Sequence, residues 1–345
     1  MTRISKNEAV KILNSAPTLE LGEAADTLRA SLHPDSTVTF IVDRNINYTN
    51  VCVNECSFCC FFKKPDDPEA YLITDEELFK KIEETIACEG TQILLQGGLH
   101  PDLDLSFFTG LLRKIKDRFN KINIHGFSPP EICDIAKKSG LSIKETLAEL
   151  KSAGLDSIPG GGAEILSDRV REAISPKKIK SGLWLDVMRQ AHNLGMKTTA
   201  TMMFGSVESV TDIVEHLDAV RTLQDETGGF TAFIPWTFQP GDSELGRKSE
   251  PATAVDYLRV LALSRVYLDN IRNIQVSWVT QGLKTAQVGL RFGANDFGST
   301  MIEENVVRAA GVTYIVTKDD IIDAVKVTGF RPAQRDTFYN IIKRF

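Results

Sequence analysis

The chain has 345 residues, 42% of them hydrophobic, enough apolar side chain for a sizeable core in one large or two ordinary domains. A formal net charge of -6 with no basic block argues against nucleic acid or an anionic membrane as the main partner and favours a small soluble substrate. The N-terminus carries Arg3, Lys6, Glu8 and Lys11 without a long apolar run, so neither a signal peptide nor a membrane anchor is expected and the protein is placed in the cytoplasm.

Ser5 to Leu32 reads as a polar helical stretch within an N-terminal extension over residues 1–36. Beyond it, short apolar runs alternate with amphipathic helical patterns, as in repeated βα units on a parallel sheet. Eight such runs are read: Val38 to Val42, Thr91 to Leu95, Ile122 to His125, Leu155 to Ile158, Lys197 to Met202, Thr231 to Ile234, Ile274 to Val276 and Val288 to Phe292. Eight units predict a closed α/β barrel of the (βα)8 TIM type over residues 37–317. Among the helices, Asp75 to Ala87 opens on Thr74 as N-cap, and Glu208 to Leu223 sets Val210, Ile213, Val214 and Leu217 on one face. The tail, 318–345, reads as two short helices packed on the barrel.

Barrel enzymes build their sites from the loops at the C-terminal strand ends, and here those loops are polar and glycine-rich. They carry Arg44 just after the first run, Gly97, Gly98 and His100 after the second, and Pro159-Gly160-Gly161-Gly162 with Glu164 after the fourth. Ser206 and Glu208 follow the fifth, Trp236, Phe238 and Gln239 the sixth, Trp278 the seventh and Asp296 the eighth. The triple glycine lacks a following Lys-Ser/Thr, which excludes a P-loop and leaves a backbone-lined pocket.

Of six cysteines, three fall in the run Cys52-Val53-Asn54-Glu55-Cys56-Ser57-Phe58-Cys59, while Cys60, Cys88 and Cys133 lie apart. This is not the layout of a secreted disulfide scaffold. The C-x3-C-x2-C spacing lets one loop present three thiolates to a 4Fe-4S cubane and leaves the fourth iron without a protein ligand. An open iron suits reductive cleavage of S-adenosylmethionine (SAM), whose amino and carboxylate groups chelate it, whereas an electron carrier needs a fourth thiolate. A zinc knuckle needs a His at finger-like spacing, and none follows. Cys88, at a helix end, and Cys133, on a helix, read as inert buried thiols. Gly97 and Gly98 would let the backbone approach the methionine amino group, and Ser206 or Glu208 would offer oxygens to adenosine hydroxyls, although Glu208 equally suits a helix N-terminus. Phe58, before the third cysteine, completes a cofactor-binding set.

The chain resembles the cyclic dehypoxanthinyl futalosine synthases, radical SAM enzymes of the futalosine route to menaquinone, nearly from end to end. The resemblance rests on Asp43-Arg44-Asn45-Ile46-Asn47-Tyr48-Thr49-Asn50 before Cys52, Ser157 to Leu166, Ala200 to Gly205, Phe233 to Pro240 and Gly293 to Met301. It implies a 5'-deoxyadenosyl radical that takes hydrogen from C4' of the ribose of dehypoxanthine futalosine, after which the carbon radical closes onto the benzoate ring. It also implies an electron donor such as flavodoxin or ferredoxin. Aminofutalosine synthase and the radical SAM halves of deazaflavin (F420 precursor) synthase share the cluster and barrel and are the alternatives; an iron-sulfur electron carrier or a zinc-stabilised binding protein is the non-enzyme alternative. The reaction needs a base, for which Asp296, then His100, then Glu164 are the candidates, and a carboxylate clamp, for which Arg44 is chosen. Trp236, Gln239 and Trp278 complete the expected substrate site.

Overall fold

The structure, a computed structural model, describes residues 3–345, so the first two residues of the expected N-terminal extension lie outside it. That extension forms two helices, Lys6–Ser15 and Thr18–Leu32, because Ala16-Pro17 interrupts the pattern; the first opens on a capping box between Ser5 and Glu8. They pack against the helices Val210–Thr227 and Ala254–Tyr267 on the outside of the barrel.

The strands are β1 (Thr37–Ile41), β2 (Asp43–Asn47), β3 (Gln92–Gln96), β4 (Asn123–Gly126), β5 (Ser157–Ile158), β6 (Lys197–Phe204), β7 (Phe230–Thr237), β8 (Asn273–Ile274), β9 (Asp296–Ser299), β10 (Arg331–Arg335) and β11 (Ile341–Arg344). From β2 to β8 they pair in chain order and in parallel. The Gln275–Asp296 bridge joins β8 to β9, and β9 pairs with β1, which runs on through Val42 into β2. Beyond β9 the chain stays on β2, with the Ile302 and Asn45 N–H groups donating to the Asp43 and Glu303 carbonyls. The ring closes as the expected eight-position barrel, β1 and β2 sharing one position.

Two boundaries differ from the reading of the sequence. Val38 to Val42 is only the lower half of the first strand, so Arg44 is mid-strand rather than in a loop. Val288 to Phe292 is the end of the helix Trp278–Gly289 and the turn after it, and the eighth strand starts at Asp296. A short apolar run is ambiguous between a helix end and a buried strand, and the true strand, Asp-Phe-Gly-Ser, carries little hydrophobic signal. The tail is also not two helices. It is one helix, Lys318–Val327, followed by β10, parallel to β1, and β11, antiparallel to β10. Gln334 and Thr337 reach the Glu89 carbonyl and the Gln92 side chain, so the tail fills the gap between β1 and β3 at the lower end of the barrel.

Strand alternation sorts the side chains. Ile93, Leu95, Ile124, Ala200, Met202 and Phe233 are fully buried in the hydrophobic core. Asp43, Asn45, Asn47, Gln92, Gln96, His125, Thr199 and Thr201 instead line a cavity inside the barrel. An interior this polar is not a filled barrel core, which is ordinarily layered with Val, Ile and Leu.

Candidate active site

The cavity holds about 410 Å3, within the usual range for a small-molecule pocket, and Cys52, Cys56, Phe58 and Cys59 form part of its wall. The cysteine loop folds over the C-terminal end of β2. Its backbone is held by Cys52 N–H to the Lys63 carbonyl, Val53 N–H to the Leu99 carbonyl and Cys59 N–H to the Cys56 carbonyl. Glu55, between the first two thiols, sits at φ 45°, a left-handed conformation costly for a side-chain-bearing residue and typical of functional loops. Burial pushes the Cys56 thiol up to about 11 and raises Cys59 as well. Thiols so placed become thiolates only with a cationic partner, which the irons of a cluster supply. Among the described residues no three His, Cys, Asp or Glu side chains group around a single ion. A cubane takes each thiolate at a separate iron, and the donor set fits it.

Gly97 and Gly98 line the cavity beside these thiols. A Cβ on Gly97 would stand 2.5 Å from the Tyr48 ring, and one on Gly98 would overlap the Val51 carbonyl and lie 2.8 Å from Cys52 Cβ. Close packing against the cysteine loop therefore requires both glycines. Their N–H groups are engaged, Gly97 with Glu131 at 3.1 Å and Gly98 with the Thr49 carbonyl.

Glu164 is buried on the wall at φ 40° and is ion-paired with Lys178, whose ammonium stands 5.2 Å from the centre of the Phe58 ring. Trp236 and Trp278 face the same space, the Trp278 indole fixed by its N–H to the Ser299 carbonyl at 2.8 Å. Of the other candidates, six stand elsewhere. Asp296, at the lower end of β9, is fully buried and off the cavity wall. It accepts both Arg335 nitrogens at 2.5 and 3.0 Å, the Thr39 hydroxyl at 2.5 Å and the Gly298 N–H at 2.8 Å. Arg44, one residue out of phase with Asp43 and Asn45, points outward to Glu84 at 2.7 Å and the Lys81 carbonyl at 3.1 Å. His100 accepts the Asp102 N–H in a turn outside the cavity. Glu208 accepts the Gly205 and Ser206 N–H groups and the Ser206 hydroxyl, which ties both candidates into one closed turn. The Gln239 carboxamide donates to Thr237. These six have structural partners and do not line the pocket. Cys88 is exposed, not buried.

The wall holds other groups that sequence reading passed over: Asp43, Gln92, Gln96, His125, Glu131 and Lys178, with Glu304 and Arg335 from beyond the barrel strands. Burial holds His125 neutral, down to about 3, with Nδ1 2.7 Å from the Ser157 hydroxyl. Period-two alternation from Asp43 was the available signal for the β2 residues; for Arg335 there was none, because its strand read as helix.

A parallel barrel whose mouth carries three thiols in one loop over an interior cavity defines the radical SAM class. The sequence matches the Radical SAM superfamily over residues 46–220 and the CofH/MqnC C-terminal region over residues 227–344. The chain belongs to the family of the cyclic dehypoxanthine futalosine synthases within that superfamily: it is 47% identical to the Halalkalibacterium halodurans enzyme of that name over 99% of this chain and 92% of that one. It is also 42% identical, over 92% of each chain, to the Archaeoglobus fulgidus 5-amino-6-(D-ribitylamino)uracil--L-tyrosine 4-hydroxyphenyl transferase. Among solved structures, methylornithine synthase shares the fold, with a TM-score of 0.73 at 17% identity over 96% of this chain and 94% of that one.

Proposed function

We propose that the chain binds a 4Fe-4S cluster through Cys52, Cys56 and Cys59, takes SAM at the cluster's open iron, and converts dehypoxanthine futalosine to cyclic dehypoxanthinylfutalosine. The observation that carries this is the three-thiol loop opening directly into a cavity walled by Trp236 and Trp278. When bound, the cluster and SAM supply the 5'-deoxyadenosyl radical that removes the ribose C4' hydrogen. The residues of the chain do the rest. The Lys178–Glu164 pair braces Phe58 within the cysteine loop, and Gly97 and Gly98 let that loop close on β3. The two indoles hold the benzoate ring against C4' and keep water from the carbon radical. The Gln96 and Gln275 carboxamides on the cavity wall are the donors offered to the substrate carboxylate. A soluble one-electron carrier, flavodoxin or ferredoxin, reduces the cluster in the cytoplasm, and neither nucleic acid nor a membrane takes part. No helix among the described residues is long and apolar enough to cross a membrane.

The test is anaerobic reconstitution with iron and sulfide, then incubation with SAM, dithionite and dehypoxanthine futalosine, read by mass spectrometry. A product two hydrogens lighter than the substrate, formed with 5'-deoxyadenosine, is expected. The archaeal relatives favour one other reading, a 4-hydroxyphenyl transfer from tyrosine to 5-amino-6-(D-ribitylamino)uracil. A parallel incubation with those two compounds decides between them.

A further inference from the structure

The closure of a carbon radical onto an aromatic ring leaves one ring hydrogen to be removed as a proton, and the expected base, Asp296, is off the wall and paired with Arg335. Among the described residues four carboxylates line the cavity: Asp43, Glu131, Glu164 and Glu304. Three have fixed structural duties. Glu164 is paired with Lys178. Glu131 accepts four hydrogen bonds, from the Ser128 N–H and hydroxyl at 2.6 and 2.5 Å, the Tyr48 hydroxyl at 2.8 Å and the Gly97 N–H at 3.1 Å. Glu304 accepts the Val306 and Val307 N–H groups at 2.8 and 3.0 Å and the Asn45 amide at 2.9 Å.

The geometry points to Asp43 as the general base that takes this ring proton. It occupies the inward register of β2, two residues below Asn45 and four below Asn47, in the line of cavity residues that leads up to Cys52. Its carboxylate has two neutral partners and no hydrogen-bonded cation. Gln92 donates to Oδ2 at 2.5 Å, and the Ser299 hydroxyl donates to Oδ1. The Gln92 amide is itself oriented, since its Oε1 accepts the Thr337 hydroxyl at 2.7 Å. The charged groups that act on Asp43 are Arg335 of β10, committed to Asp296 of β9, and Glu304 of the segment after β9; its hydrogen-bonding neighbours from β3 and β9, Gln92 and Ser299, are neutral. Burial is the dominant influence and raises the carboxyl to about 6, where a base is ionised at neutral pH yet still takes up a proton readily.

This inference rests on the cyclase reading. In the step assigned, the C4'–ring carbon bond has formed and the ring is a cyclohexadienyl radical. The C–H bond at the new junction breaks, and its proton goes to the Asp43 carboxylate while both bonding electrons remain in the ring. One electron then leaves to a one-electron acceptor of the iron-sulfur class, or to an oxidised carrier, and aromaticity returns.

The test compares Asp43→Asn, Asp43→Glu and Ser299→Ala with the wild type in the reconstituted enzyme, following 5'-deoxyadenosine and cyclised product separately across pH 5 to 9. Asp43→Asn is expected to keep 5'-deoxyadenosine formation within about threefold while product falls by about 10²-fold or more, and to lose the acid limb of the pH profile. A primary isotope effect from deuterium at the ring position should emerge in this variant. Asp43→Glu restores part of the product flux, and Ser299→Ala moves the acid limb to higher pH by removing a donor to the carboxylate. Asp43→Asn with undiminished product, or an acid limb that Ser299→Ala leaves in place, overturns the assignment and leaves the cyclase reading standing. Wild-type enzyme that forms 5'-deoxyadenosine but no cyclised product overturns both.

Discussion

Changing Arg335 to Met should loosen the joint between the C-terminal tail and the barrel. The Arg335 and Asp296 side chains are 6% and 0% exposed and bonded through two nitrogens, so the variant leaves a buried carboxylate without its cation. Removing one partner of such a pair costs about 3–5 kcal/mol. The Thr39 hydroxyl and Gly298 N–H remain on Asp296 and place the cost toward the lower end. An unfolding entropy of about 2.1 cal/mol/K per residue gives about 0.7 kcal/mol/K for this chain, so a loss of about 3–4 kcal/mol lowers Tm by about 4–6 °C. The assay is calorimetry of the cluster-free protein, with Asp296→Leu and the double variant Asp296→Leu/Arg335→Met alongside. Each single variant should be destabilised, and the double variant should lose markedly less than their sum, since both buried charges are then gone. Strict additivity, or a single-variant cost below about 1 kcal/mol, would refute the reasoning.

Asp43 is neutral in the fold below about 6 and below 3.8 ordinarily, so its folded form favours the proton. Its contribution to stability is present in full below pH 3.8 and is lost as pH rises through about 6. The shift from 3.8 to about 6, at 1.36 kcal/mol per unit, amounts to about 3 kcal/mol, so Asp43→Asn should gain about 4 °C in Tm relative to wild type between about pH 3 and 7; a relative loss would contradict the burial argument. Gly98→Ala should displace the segment from Val51 to Cys52 and lower iron uptake on reconstitution while the far-ultraviolet circular dichroism stays native; full iron content would show that the loop yields without cost. Replacing Cys52, Cys56 or Cys59 by Ala should abolish the cluster's visible absorbance, whereas Cys60→Ala should retain it, and loss of absorbance in Cys60→Ala would assign a fourth ligand.

Much of this molecule follows from local pattern. Apolar runs such as Thr91 to Leu95 become strands because the barrel buries them, and Thr74 caps the helix Asp75–Ala87 as its side chain requires. The C-x3-C-x2-C spacing placed three thiols in one loop, where proximity along the chain guarantees proximity in space. The candidates reasoned from a loop position fared differently. Arg44 was lost by one step of strand phase, which turns a side chain to the opposite face. Asp296 was lost because an apolar helix end was taken for its strand, which moved it from the mouth of the barrel to the floor. Glu208 and His100 are polar residues in polar turns, and sequence does not say whether such a group binds its own backbone or a ligand. The class, the cysteine loop and most of the barrel order were thus legible along the chain, because all of them depend on near neighbours and periodicity. Which polar groups share the cavity was settled by the folding of the barrel. It brought Arg335 from the tail to Asp296, and left Asp43 on the wall with neutral partners, because those contacts join residues roughly 40 to 260 positions apart and are set by strand register and closure of the barrel.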